Sequence, residues 1–255
     1  MSMAPSDYRT PENQSWWLAT RLPGLFLYTR ILLVVLAAYR RCSENTYTLD
    51  KKIASSSSVL RTLERIGADV FVENMSAFIA LKAPCVFVAN HMSALETFLL
   101  PCFIMPYRKI TFVVKKGLTQ YPVLKHAINS LDPIVVERTN PRKDLKAVLE
   151  QGIDVLKQNI SVLLFPQTTR SLHFDPAQFN TLGIKLAKKS RLPIVPIALK
   201  TDAWGIGHLL KDFGKIDPSK PVRVTFGDPI HVTGNGKQEH QRILSFMRDT
   251  LRSWG

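Results

Sequence analysis

His91 and Glu96 are the pair of side chains in this 255-residue sequence whose types and spacing best suit proton transfer. They stand in Val88-Ala-Asn-His-Met-Ser-Ala-Leu-Glu-Thr97, where an apolar run gives way to a histidine and a carboxylate follows five residues on. Imidazole takes up a proton near neutral pH, and a carboxylate bonded to it fixes its tautomer and stabilises the imidazolium. On one continuous helix, five residues turn through about 500 degrees, so the two side chains would not share a face. They meet only if His91 precedes the helix. The run Pro84–Ala89 reads as a strand that delivers His91 to its end, and Ser93 as the cap of a helix carrying Glu96 in its first turn. Ser93-Ala-Leu-Glu96 also fits a capping box, in which the glutamate only closes a helix start. The two roles are compatible, because a helix N-terminus favours an ionised carboxylate.

Three further blocks place polar groups at the ends of apolar runs. Between Arg108 and Lys146, nine Lys/Arg stand against three Asp/Glu. Lys115-Lys116 follow one strand-like run and Arg138 follows another, Pro133-Ile-Val-Val-Glu137. Cations at strand ends suit a phosphate. Arg142, Lys143 and Lys146, on an amphipathic helix, read as a solvated face, which leaves Lys116 and Arg138 as candidates. In Val162-Leu-Leu-Phe-Pro-Gln-Thr-Thr-Arg-Ser171 a buried strand runs into a loop with hydroxyls and an arginine. Arg170 suits a fork on phosphate, and the backbone at Thr168 and Thr169 can add amide donors; a helix cap with a surface arginine is the plainer alternative. Leu192-Pro-Ile-Val-Pro-Ile197, an apolar strand with two prolines, reads as wall rather than chemistry. The sequence has no Gly-x-Ser-x-Gly elbow, P-loop, dinucleotide fingerprint or metal-ligand spacing.

The elements that must position these groups are short apolar runs interleaved with longer amphipathic ones. Strands are expected at 68–73, 84–89, 110–114, 134–136, 162–165, 194–199 and 222–226, and helices at 59–66, 95–103, 121–129, 142–158, 181–189 and 237–253. This alternation predicts an α/β fold, a central sheet flanked by helices. In such sheets ligands collect beyond the carboxyl ends of the strands, so one cleft can hold both His91 and Arg170. Ahead of this lies an apolar, basic segment, residues 16–42. Its longest uncharged run, Ile31–Tyr39, is nine residues, short of the ~20 needed to span a bilayer as a helix. Pro23-Gly24 splits the segment, and no small-residue cleavage site precedes Arg40-Arg41. Paired tryptophans, aliphatics and spaced arginines suit helices lying in the membrane interface; a core-packing helix pair is the alternative. The polar stretch Ser43–Ser58 reads as a linker or helix entry, and the chain divides into a membrane-associating segment, 1–45, and a catalytic domain, 46–255.

A formal net charge of +14 suits phosphate-bearing partners such as anionic lipid, coenzyme A or an acidic carrier protein. Nucleic acid would satisfy the charge alone, but the sequence carries no stacked-aromatic motif or recognition-helix pattern, so it is not expected as a partner. Three cysteines without metal spacing fit reduced thiols facing the cytosol.

Taken in order, these blocks resemble the glycerolipid acyltransferase family, and within it the 1-acyl-glycerol-3-phosphate acyltransferases, over roughly residues 65–200. Asn90-His91 through Glu96 looks like the family's Asn-His-x4-Asp, with Glu for Asp. Lys115-Lys116-Gly-Leu118, Pro122 and Arg138 resemble its second motif, with Lys125 in place of a glycine. Phe165-Pro-Gln-Thr-Thr-Arg-Ser171 is similar to Phe-Pro-Glu-Gly-Thr-Arg-Ser and departs from it at Gln167 and Thr168. Leu192–Pro196 corresponds to the fourth. The resemblance implies transfer of a fatty acyl group from acyl-CoA or acyl-carrier protein to the free hydroxyl of a membrane lysophospholipid, with no further cofactor and no metal. His91 would be the general base and Glu96 its orienting partner. Lys116, Arg138, Gln167, Thr168, Thr169 and Arg170 would line the acceptor site. A membrane-associated protein on the cytoplasmic face follows. Gln167 for glutamate removes a negative charge near the phosphate, which leaves open a different lysolipid acceptor. A catalytically silent lipid-binding protein of the same fold is the other reading that these departures allow.

Overall fold

A computed structural model describes residues 7–122, 124–167, 169–207 and 211–255. Its strands are β1 (Tyr8–Arg9), β2 (Val70–Glu73), β3 (Val86–Ala89), β4 (Ile110–Lys115), β5 (Ile134–Val136), β6 (Ser161–Leu164), β7 (Ile194–Lys200) and β8 (Val222–Phe226). They form one sheet in the order β1-β2-β8-β7-β3-β6-β4-β5. From β7 to β5 all neighbours are parallel, while β8 runs against β7 and β2 runs with β8. The helices are α1 (Trp17–Arg21), α2 (Pro23–Ser43), α3 (Leu49–Arg65), α4 (Ser76–Ile79), α5 (Leu95–Ile104), α6 (Lys116–Gln120), α7 (Leu124–Asn129), α8 (Pro141–Lys157), α9 (Leu182–Ser190) and α10 (Lys237–Ser253). The expected α/β architecture, a central sheet flanked by helices, is the one observed.

The two central strands β3 and β6 are buried along their whole length, as parallel strands covered on both faces are. Alternation along β3 builds two cores. Phe87 and Ala89 face a core shared with α3 and α5, whereas Val86 and Val88 face one shared with α8, α9 and α10. Gly183 lets α9 lie flush on β3, since a Cβ there would stand 2.5 Å from Val88 Cγ2. Helix α8 starts where Asn140 Oδ1 accepts from Arg142 N and Lys143 N at 3.0 and 3.2 Å with Pro141 following, a polar cap before a preset φ.

The connections decide where a ligand can sit. After β3 the chain crosses to β4 through α5 on one face; after β6 it crosses in the opposite direction to β7 through α9 on the other. Adjacent strands whose connections diverge over opposite faces open a crevice at their carboxyl ends. His91 follows β3, and the loop to Arg170 follows β6.

Three expectations change. Of the two readings of Ser43–Ser58, helix entry holds for residues 49–58, which are the first turns of α3 rather than a linker, with Ser55 and Ser56 buried. Their small hydroxyls allow close packing on α5: Ser56 Oγ donates to Phe98 O at 2.6 Å and accepts from Cys102 N at 2.8 Å, beside Pro101. The helix expected at 121–129 is shorter, α7 (Leu124–Asn129), and a separate helix that was not expected, α6 (Lys116–Gln120), precedes it. The nine-residue apolar run lies within a continuous 21-residue helix, α2, with an 18-residue stretch of mean hydropathy 1.3; by length and composition it is, among the described residues, the one helix long and apolar enough to cross a membrane. It rests on the body through Leu27, Val35 and Ala38 while Leu25, Leu32, Leu33, Leu36 and Tyr39 stay exposed.

Candidate active site

The site is built outward from β3. Asn90 is buried and imitates a strand: its Nδ2 donates to Leu199 O and its Oδ1 accepts from Leu199 N, both at 2.8 Å, which pins the turn to β7. His91 N donates to Gln167 Oε1 at 2.8 Å, and His91 O accepts from Ser171 N at 3.0 Å, which pins it to the loop after β6. The imidazole stacks on Phe165 at 4.2 Å and 21°. With both backbone groups bonded and one ring face covered, the histidine has little freedom left.

His91 Nδ1 lies 2.6 Å from Glu96 Oε2; the histidine side chain is 16% exposed and the glutamate 0%. The other carboxylate oxygen, Oε1, accepts from Met92 N at 2.7 Å, Ser93 N at 2.8 Å and Thr201 Oγ1 at 2.8 Å. A buried carboxylate is tolerated only when donors surround it, and here four converge. Glu96 therefore closes the helix start and holds the imidazole at once. Ser93 does not cap α5 as expected: its Oγ accepts from Leu95 N at 3.2 Å and lies 2.9 Å from Thr201 Oγ1, and Ala94 holds the cap position. With Nδ1 committed to Glu96, Nε2 is the nitrogen left to take a proton from a substrate.

The other candidates divide by location. Gln167 is 2% exposed and turned inward onto His91 N. It supports the histidine rather than facing the cleft, and a glutamate would offer the same Oε1 acceptor there. Thr168 lies outside the described residues. Thr169 is exposed at the mouth. Arg170 Nη2 is ion-paired with Asp212 Oδ1. Lys116 opens α6 and pairs, exposed, with Glu137 at 3.1 Å. Arg138 sits in the left-handed region, φ 61°, after β5. Asp144, from the first turn of α8, holds that conformation by accepting from Glu137 N and Arg138 N at 2.9 Å each. All these residues share the carboxyl edge, but at different distances: β4 and β5 are two and three places from β3, about 10 and 14 Å at the usual strand spacing. The structure thus gives an inner pole, His91 with the Arg170 loop, and an outer pole, Lys116 with Arg138.

Thr201 and Asp212 are site residues that the sequence reading passed over, and Asn90 entered it only as part of a motif, without a role. Thr201 carried a usable signal, a polar residue just past a buried strand, as His91 does. Asp212 carried none. It belongs to the segment 203–217, closed by bonds from Gly205 N to Lys215 O at 2.9 Å and from Asp217 N to Ala203 O at 2.8 Å. Helix α2 props that segment: Tyr28 packs edge-on against Trp204 at 5.4 Å, and its hydroxyl donates to Gly214 O.

The profile of the Acyltransferase family matches residues 60–200, from the end of α3 to the end of β7. The chain belongs to that family. The matched residues include His91, Glu96 and Arg170 and stop one residue short of Thr201. The chain is similar to 1-acyl-sn-glycerol-3-phosphate acyltransferases: 30% identical over 174 residues to that of Pseudomonas aeruginosa (67% of this chain, 65% of the relative), and 31% over 149 residues to the chloroplastic one of Brassica napus (58% and 41%). It therefore spans less than two thirds of the length of these relatives. The crystal structure of the 1-acyl-sn-glycerophosphate acyltransferase PlsC from Thermotoga maritima shares the fold, with a TM-score of 0.64 at 19% identity, covering 92% of this chain and 96% of that one.

Proposed function

We propose that this protein transfers a fatty acyl group from a thioester, acyl-CoA or acyl-carrier protein, to the free hydroxyl of a lysophospholipid, with 1-acyl-glycerol-3-phosphate as acceptor and phosphatidic acid as product. The observation that carries the reading is the contact between His91 Nδ1 and fully buried Glu96 at the β3–β6 crevice, in a chain whose relatives bear that activity in their names. His91 Nε2 takes the hydroxyl proton as the oxygen attacks the thioester carbonyl. A C–O bond forms, the C–S bond breaks, and the proton passes from the imidazolium to the departing thiolate. Glu96 stabilises the imidazolium between these events. Arg170, from the strand next to β3, holds the acceptor phosphate once Asp212 yields it; Lys116 and Arg138 extend the cationic edge, and Thr169 stands at its mouth. No cofactor beyond the thioester co-substrate enters this scheme.

Glu96 bears on the silent lipid-binding alternative. The extra methylene relative to aspartate has not broken the pair, because the carboxylate is anchored from behind by Met92, Ser93 and Thr201. The exposed leucines of α2 and its flanking Arg40 and Arg41 support residues 1–45 as a segment lying in the membrane interface, with 46–255 as the catalytic domain. Three free cysteines fit the cytoplasmic side.

The test is His91→Ala, supplied with lysophosphatidate and each donor in turn. Loss of the base lowers turnover by about 10²–10⁴; retention of more than about a hundredth of wild-type turnover would refute the assignment. Mass spectrometry of products from a mixed lysolipid pool identifies the acceptor.

A further inference from the structure

Between α2 and the C-terminal half of α3 lies a groove of about 470 Å³ whose lining includes Trp16, Leu25, Phe26, Leu33, Arg30 and Arg65. That volume falls in the range of small-molecule pockets. The lining contains none of the residues assigned to the reaction. Leu25 and Leu33, two turns apart on α2, form one side and are 62% and 51% exposed, so the groove opens onto the exposed apolar face of that helix. Trp16 closes one end, edge-on to Phe26 at 5.4 Å and 86° and tied by its N to Arg65 O at 2.9 Å. Arg30 is fixed along one edge only: its Nε donates to Thr62 Oγ1 at 3.2 Å, and that hydroxyl donates to Ser58 O at 2.9 Å. Among the described residues, neither Arg30 nor Arg65 forms an ion pair with a carboxylate, although eight ion pairs are formed elsewhere.

Two guanidinium groups without acidic partners, set in the wall of a greasy groove, match one ligand chemistry: a phosphate joined to an alkyl chain. Guanidinium forks bind phosphate through paired N–H donors. The alkyl part meets Leu25, Phe26 and Leu33, and the continuity of the groove with the exposed leucines makes the bilayer its source. We propose that this groove binds one anionic phospholipid of the membrane, phosphate on Arg30 and Arg65, acyl chain along α2, and so fixes the rotation of α2 on the lipid surface. The inference rests on the interfacial reading of residues 1–45.

The experiment measures affinity of the full chain for phosphatidylcholine vesicles and for the same vesicles doped with phosphatidylglycerol. Three proteins are compared: wild type, the double variant Arg30→Gln/Arg65→Gln, and Thr29→Trp, which fills the groove from its exposed lining without changing charge. Thermal unfolding verifies that each is folded. Wild type favours the doped vesicles. Thr29→Trp loses at least about fivefold of that preference while still binding phosphatidylcholine, and the double variant loses more, at about fivefold per arginine. A Thr29→Trp protein that keeps the full preference overturns the site, because diffuse charge then explains the binding. Wild type that binds both vesicles equally also overturns it. Inorganic phosphate lowers the preference of wild type more than chloride at matched ionic strength does, by competing for the two arginines; a free-ion site is the outcome if phosphate stabilises wild type against thermal unfolding through Arg30 and Arg65 while the doped vesicles gain nothing over phosphatidylcholine. Wild type that binds neither vesicle overturns the interfacial reading itself.

Discussion

The two poles of the carboxyl edge are built on opposite plans. At the inner pole Glu96 is fully buried, four donors converge on it, and His91 is held by both backbone groups and by Phe165. At the outer pole Lys116 and Glu137 pair in the open, and Asp144 fixes the backbone at Glu137 and Arg138. A proton must be taken at one place and one angle, so the groups that take it gain from being immobile before substrate arrives. A phosphate carries its charge on several oxygens and can be met by long, solvated side chains from several directions. In the proposed mechanism, rigidity is therefore concentrated where bonds would be made and relaxed where charge would only be recognised.

The sharpest way to break the contrast is Glu96→Gln. Volume and one carbonyl oxygen are kept, but an amide that donates can face Nδ1 and favour the wrong tautomer. Turnover falls by about 10²–10⁴, and a substituted enzyme with near-normal turnover would show that the inner pole owes nothing to charge. Arg170→Ala comes next. Loss of a charge-assisted bond, about 1.5–3 kcal/mol, raises KM for the lysophospholipid about 10- to 100-fold and alters kcat less; a pure kcat effect would move Arg170 from recognition to chemistry. Thr201→Val preserves shape and removes one donor to Glu96. It costs about 1–2 kcal/mol in stability by denaturant unfolding and lowers turnover about tenfold or less. Lys116→Ala has the smallest effect, a stability change within about 0.5 kcal/mol, with a rise in KM that shrinks at high salt. If it destabilised the chain as much as Thr201→Val, the outer pole would not be the loose one.

What could be read from the sequence follows the range of the interactions. The seven longer strands were legible because each is an apolar run bounded by breakers. Strand β1 was not: it is two residues long, and its neighbour Thr10 joins β2 by bonds between Thr10 N and Val70 O at 2.9 Å and between Val70 N and Thr10 Oγ1 at 2.8 Å, sixty residues apart. Four consecutive serines hid the middle of α3, since serine composition reports loops on average whereas Ser55 and Ser56 here serve a helix–helix contact. At the site, His91 and Glu96 are five residues apart and their pairing could be argued locally. Thr201 reaches Glu96 across 105 residues, and Asp212 meets Arg170 from a segment without a pattern of its own. Gln167 was placed at the phosphate by motif position alone; its inward turn depends on the backbone of His91, which only the folded crevice supplies.

Tyr28 carries a consequence for handling the protein. It leans from α2 on the segment that presents Asp212, and Asp212 grips Arg170. A version trimmed of its first forty-odd residues to make it easier to purify would lose that support along with its greasy helix. Its kinetic constants would then describe a different enzyme, and detergent or nanodisc preparations of the whole chain are the proper material for measuring them.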